Sequence, residues 1–237
     1  MKGTRIPGLD VVRSTAAFFV VAVHFFLNCG FYSTPMIGTE MFIMTYGRWL
    51  FLTCVPLFML LTGYFKIHKK LNMAHYKTLI PILVSYVVIS IIKVLACNKL
   101  YGTVYTFADA VRNILNYQIA WYVGMYLSIM AIIPFLNLMW HAIETQRQKQ
   151  ILIGLLIFIS SLYPLVLYIA PSYWQMMYPL VYYFIGAYIR EYQPKIKKWL
   201  GILILLGTLL LESIGSFYFS KEWTFQWNFL GAVDSGY

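Results

Sequence analysis

An arginine and a histidine stand inside the first apolar run of this chain, Gly8-Leu-Asp10-Val-Val-Arg13-Ser-Thr-Ala-Ala17-Phe-Phe-Val-Val-Ala-Val-His24-Phe-Phe-Leu-Asn28. An imidazole titrates near neutrality and can take a proton from a hydroxyl, while a guanidinium can hold a phosphate or a developing negative charge. In a helix, the step from Arg13 to His24 returns to within about 20° of the same face while advancing roughly 16 Å. Asp10, one turn before Arg13, and Asn28, one turn after His24, extend this lane through Ala17. Ionisable side chains inside an apolar segment face a bundle interior or a watery cavity by default, and they mark function. A lone histidine in such a helix is more often a hydrogen-bonded structural residue, but Arg13 on the same face turns the reading toward chemistry.

The element that must carry this lane is a membrane helix. The 237 residues are 61% hydrophobic and only 11% charged, with a mean hydropathy of +0.70, where soluble domains carry about 25% charged residues. Runs near 11–30, 49–65, 79–96, 120–140, 151–169, 178–189 and 199–219 are each near the length that crosses a bilayer, giving an all-α bundle of about seven spans. Most of the 18 Lys and Arg fall before the first span or in the segments 66–77, 141–149 and 190–198. The positive-inside bias therefore places the N-terminus in the cytoplasm and the segments 31–48, 97–119, 170–177 and 220–237 outside. A net charge of +10 in such a chain marks inner loops and excludes nucleic acid as the expected partner. Asp10 and Arg13 interrupt the first run and no small-x-small site follows before Tyr32, so the segment is expected to be retained and not cleaved.

Elsewhere the chain offers little independent chemistry. Cys29, Cys54 and Cys97 lack paired spacing, and no metal site is expected. No phosphate loop, zinc-protease helix or serine nucleophile elbow occurs. His68, His75 and His141 fall in basic inner loops and are expected to be solvated; Glu212 is a second ionisable group within an apolar run. Thr106 caps a short amphipathic helix with apolar residues at 107, 111, 114 and 115, either an outer connector or the roof of a cavity. Tyr163, Tyr168, Tyr173, Trp174, Tyr178, Tyr182 and Tyr183 gather around one outer loop, where interface anchoring explains them and a sugar platform is the alternative.

Four stretches, taken in order, resemble the acyltransferase 3 family of integral membrane acyltransferases. They are Arg5-Ile-Pro-Gly-Leu-Asp10 through Arg13 and His24; Val55-Pro-Leu-Phe-Met-Leu-Leu-Thr62-Gly63-Tyr64-Phe65; Trp121-Tyr122-Val-Gly124-Met-Tyr126 with Ile133-Pro134; and Tyr183-Phe-Ile-Gly186. The likeness covers nearly the whole chain as a single membrane domain, 1–237. The family commonly has two arginines three residues apart at the inner start of its third span. This chain has Lys66, Lys69, Lys70 and Lys77 there instead, and a lysine neutralises phosphate without the guanidinium fork. Family members typically have ten spans, so a chain with about seven is expected to be C-terminally truncated.

The resemblance implies transfer of an acyl group, acetyl in the first instance, from acyl-CoA to a hydroxyl of a cell-envelope polysaccharide or lipid-linked glycan. No bound cofactor is implied beyond that donor. His24 and Arg13 are the expected catalytic pair. Asp10, Asn28, Trp121, Tyr122 and Tyr126 are expected at the acceptor or acyl passage, and Lys66, Lys69, Lys70 and Lys77 at the donor. The protein is expected in the cell membrane, among lipid, as a multi-pass chain. Two alternatives remain open at this point: a transporter or flippase, since buried Arg and His also serve proton coupling, and a membrane domain feeding a separate catalytic domain.

Overall fold

The computed structural model of the chain describes residues 6–102, 104–165, 172–220 and 224–225. Among these residues the secondary structure is helical, apart from one isolated bridge between Pro35 and Thr224. The helices are α1 (Pro7–Asn28), α2 (Gly38–Leu52), α3 (Cys54–Lys66), α4 (Met73–Lys77), α5 (Ile80–Tyr101), α6 (Phe107–Leu115), α7 (Trp121–Ala142), α8 (Gln146–Leu165), α9 (Tyr178–Tyr192) and α10 (Lys198–Phe219). The all-α bundle expected from composition is what the chain forms.

Among the described residues, five stretches are long and apolar enough to cross a bilayer: Pro7–Ser33, Gly38–Lys66, Met73–Tyr101, Trp121–Ala142 and Lys198–Tyr218. The sequence suggested about seven. Of the two further runs, 151–169 begins with the apolar part of α8, at Ile151 after the polar Gln146-Arg-Gln-Lys-Gln150, and ends outside the described residues. At 15 residues, α9 is shorter than a straight crossing of about 20 requires. A correction concerns residues 31–48, read as an outer loop. Most of that segment is α2, which runs almost directly into α3. The break falls at Thr53, whose hydroxyl donates to the Leu50 carbonyl at 2.7 Å, and it is followed by Pro56, which has no N–H to return to Leu52.

The chain divides into two compact units, Met1–Phe65 with Thr145–Tyr237, and Lys66–Glu144. In the first, aromatic rings join α1 to α2: Phe19 meets Phe51 edge-on at 5.3 Å, and Phe26 meets Phe51 at 6.1 Å. Helix α10 packs on α2 through Phe42 against Phe217 and through the Trp49 indole N–H, which donates to the Ser216 hydroxyl at 2.9 Å. Arg48, expected in an outer loop, is fully buried. Its Nε donates to the Tyr32 hydroxyl at 3.0 Å, and its guanidinium lies 4.8 Å from the Trp49 ring centre and 4.1 Å from that of Phe225. These are cation–π distances that partly replace water around the charge.

Helices α3 and α9 cross at backbone contact. A Cβ on Gly63 would land on the Tyr183 carbonyl, and one on Gly186 would land on the Leu60 carbonyl. Beyond the crossing, Arg190 donates to the Tyr64 hydroxyl at 3.2 Å. Helix α8 opens on a reciprocal cap between Thr145 and Gln148. It is then tied to α9 by Lys149, which pairs with Glu191 at 2.8 Å. Lys149, at the end of the segment 141–149 read as an inner loop, is thus a buried ion-pair partner.

The second unit is built around the C-terminal half of α7, where Ile129, Met130, Ile133, Pro134, Asn137 and Trp140 form one buried stripe. Pro134 has no N–H, so the carbonyl four residues back, at Met130, loses its helical donor. His75 supplies one: its Nε2 lies 2.7 Å from the Met130 oxygen. His75 is 4% exposed, which corrects the expectation of a solvated loop residue. Replacing it with phenylalanine is expected to leave that buried carbonyl unpaired at a cost of about 1–3 kcal/mol. His75→Gln, with a donor in nearly the same place, should keep most of the stability. Thermal unfolding of the purified variants in detergent checks this, and equal Tm values for the two would refute it.

Helix α6 forms where the sequence put it, with the Thr106 hydroxyl accepting from the Asp109 N–H at 3.2 Å. Phe107, Val111 and Leu115 on its apolar side are exposed, the disposition of a helix lying along a membrane interface.

Candidate active site

Asp10, Arg13, His24 and Asn28 share one face of α1, Asp10 half-buried and the other three exposed, rotated away from the buried stripe Ala16, Val23 and Phe26. Sequence reasoning expected an interior lane; among the described residues this face is left open. Arg13 reaches Asp10 at 3.4 Å and lies 5.6 Å from the centre of the Phe65 ring on α3. That arrangement holds the guanidinium at the α3 end of the lane while leaving it accessible.

His24 is oriented by its own helix. Its Nδ1 is 2.7 Å from the Val20 carbonyl oxygen one turn back. A carbonyl only accepts, so in the neutral ring Nδ1 carries the proton and the lone pair sits on Nε2. One turn on, Asn28 donates from Nδ2 to the His24 carbonyl at 2.7 Å, which stabilises the end of the helix behind the imidazole. The ring is therefore set up as a proton acceptor at Nε2 on an exposed face. With roughly 16 Å of helix rise between them, Arg13 and His24 cannot act on the same reacting atom.

The remaining expected site residues belong to the second unit. Trp121 and Tyr122 meet edge-on at 6.2 Å, and Tyr122 stacks on Tyr126 at 5.9 Å with 24° between planes. One helical turn separates those two rings, so they form a short aromatic ladder, the kind of surface a sugar or acyl chain can lie on. Gly124, between them in sequence, leaves room for Tyr117, whose ring would be struck by a Cβ there. Lys69, Lys70 and Lys77 are exposed and Lys66 is half-buried. An open groove of about 510 Å³ between α5 and the start of α7 is apolar apart from Ser85, Tyr86, Ser90 and Lys93. Of the aromatic residues near 163–183, the side chain of Tyr163 and the whole of Tyr168 lie outside the described residues.

Two features went unread in the sequence. Asn137 and His141, in the last turns of α7, hold the backbone of the lysine-bearing loop, and only the polarity of Asn137 within an apolar run hinted at it. The glycines of Thr62-Gly63-Tyr64 and Tyr183-Phe-Ile-Gly186 are a single helix crossing, which separate stretches of sequence cannot reveal. Among the described residues no group of three or more metal-ligating side chains comes together.

The acyltransferase 3 family model, described as an acyltransferase domain, matches residues 6–234, across both units. The chain belongs to this family. No curated protein and no solved structure matches it. As a family member with five apolar crossing-length stretches among its described residues, it is a membrane acyltransferase.

Proposed function

We propose that this acyltransferase moves an acyl group, acetyl in the simplest case, from acyl-CoA to a hydroxyl of a cell-envelope polysaccharide or lipid-linked glycan. The observation that carries the reading is His24, whose Nδ1 is held by the Val20 carbonyl so that Nε2 stands open as a base. In the transfer, the acceptor hydroxyl gives its proton to Nε2 as its oxygen attacks the thioester carbonyl. The new C–O bond forms, the C–S bond breaks, and the imidazolium returns the proton to the departing sulfur. Arg13 takes the donor's pyrophosphate, three turns away, a separation that the long pantetheine arm of coenzyme A can bridge. Lys66, Lys69, Lys70 and Lys77 gather the anionic donor on the cytoplasmic side of the cell membrane, where the N-terminus also lies. Within the second unit, the ladder of Trp121, Tyr122 and Tyr126 offers the acceptor a surface to lie on.

The direct test is mass spectrometry of envelope glycans from cells with and without the intact gene, together with CoA release by the purified protein. An acyl ester present only with the gene is the expected result. Substrate movement across vesicles without any CoA release would replace this reading with transport.

A further inference from the structure

The basic loop after α3 is not left to find its own shape. Asn137, 3% exposed, donates from one nitrogen to two loop carbonyls, those of Lys66 at 2.8 Å and Lys69 at 2.7 Å. One turn further along α7, His141 places Nε2 3.0 Å from the Ile67 oxygen, and Ile67 itself is 1% exposed. The Lys69 N–H closes the loop on the Lys66 carbonyl at 2.8 Å. Three carbonyls of a four-residue segment are thereby committed to protein donors. Those oxygens would otherwise repel an anion. His68 and Lys69 on this segment and Lys70 just after it stay exposed, and the His68 ring stacks on His141 at 5.7 Å with only 14° between planes.

We infer that Asn137 and His141 are positioning residues for the acyl donor, fixing the backbone of residues 66–69 so that Lys66, Lys69 and Lys70 form a ready-made cradle for its phosphates. This inference rests on the donor reading above. Neither residue touches the donor. Both act through the loop, so their loss weakens donor binding and leaves the chemical step alone. A loop that must be ordered at each binding event carries that entropic cost in its affinity, whereas a pre-ordered one does not.

The test uses detergent-permeabilised membranes holding the full chain and its own acceptor, with labelled acetyl-CoA varied and ester-linked label counted. Asn137→Leu is expected to raise the apparent KM for acetyl-CoA about tenfold, with Vmax per inserted molecule held within about twofold. His141→Phe should raise KM in the same sense, while His141→Gln, which keeps a donor toward Ile67, should stay near the parent. If Asn137→Leu fails to accumulate in the membrane, the two His141 variants decide. A fall in Vmax at unchanged KM, or a His141→Gln variant no better than His141→Phe, overturns the inference. By contrast, a Lys69→Ala/Lys70→Ala protein with unchanged KM, or a parent that incorporates no label, overturns the donor reading itself.

Discussion

His24→Ala is expected to lose acyl transfer by about a hundredfold to ten-thousandfold while still accumulating in the membrane, the range over which a positioned general base contributes. The ring lies exposed on α1, and the hydrogen bond it gives up is to a carbonyl of its own helix, so removing it opens no hole in the core. His24→Gln refines the point, since it keeps polarity and approximate size without a basic lone pair, and it should be as inactive as alanine. Acyl incorporation normalised to inserted protein measures both. Activity in His24→Gln near that of the parent would show that the imidazole orients the acceptor without taking its proton. Arg13→Ala should behave differently, with donor affinity falling more than turnover, because the guanidinium lies too far from His24 to meet the reacting carbonyl.

Adding a methyl group at Gly63 is expected to be among the most damaging single changes in the helices described, matched by the same change at Gly186. The new Cβ would occupy the place of the Tyr183 carbonyl, with the Ala187 N–H close behind. These are backbone atoms of α9 that no rotamer change can clear. The two helices must separate, and separation also strips Gly186 from the Leu60 carbonyl and Arg190 from Tyr64. Gly63→Val should therefore cost about 3 kcal/mol or more and yield little folded protein. Gly207→Ala in α10 is the matched control: nothing lies within 4 Å of a Cβ there, so the change should be neutral or stabilise by up to about 1 kcal/mol. Thermal unfolding in detergent compares them. Equal Tm values for Gly63→Ala and Gly207→Ala would refute the close crossing.

Several features of this protein were open to reading from local pattern. The lane on α1 follows from helical periodicity alone, and the hydrogen bonds that set His24 and Asn28 come from residues one turn away in the same helix. Thr106 ahead of Phe107 signals a cap because a hydroxyl there meets the unpaired N–H of Asp109. Hydropathy marked the membrane, and the ordered motifs marked the family. Reading residues 31–48 as a loop failed because Glu40 and Arg48 put two charges into a helix that is otherwise largely apolar. Charge argues for water unless its burial among Tyr32, Trp49 and Phe225 is known.

What the amino-acid sequence determined by itself is what depends on neighbours within a turn or two: most of the helices, the polar lane of α1, the cap at Thr106 and membership of the family. The tertiary structure alone decided the contacts between distant segments, Gly63 with Tyr183, His75 with Met130, and Asn137 with Lys66 and Lys69. The reason is physical. A hydrogen bond or close packing across 50 to 120 residues is set by how helices dock, and neither partner carries any mark of the other in its own spacing.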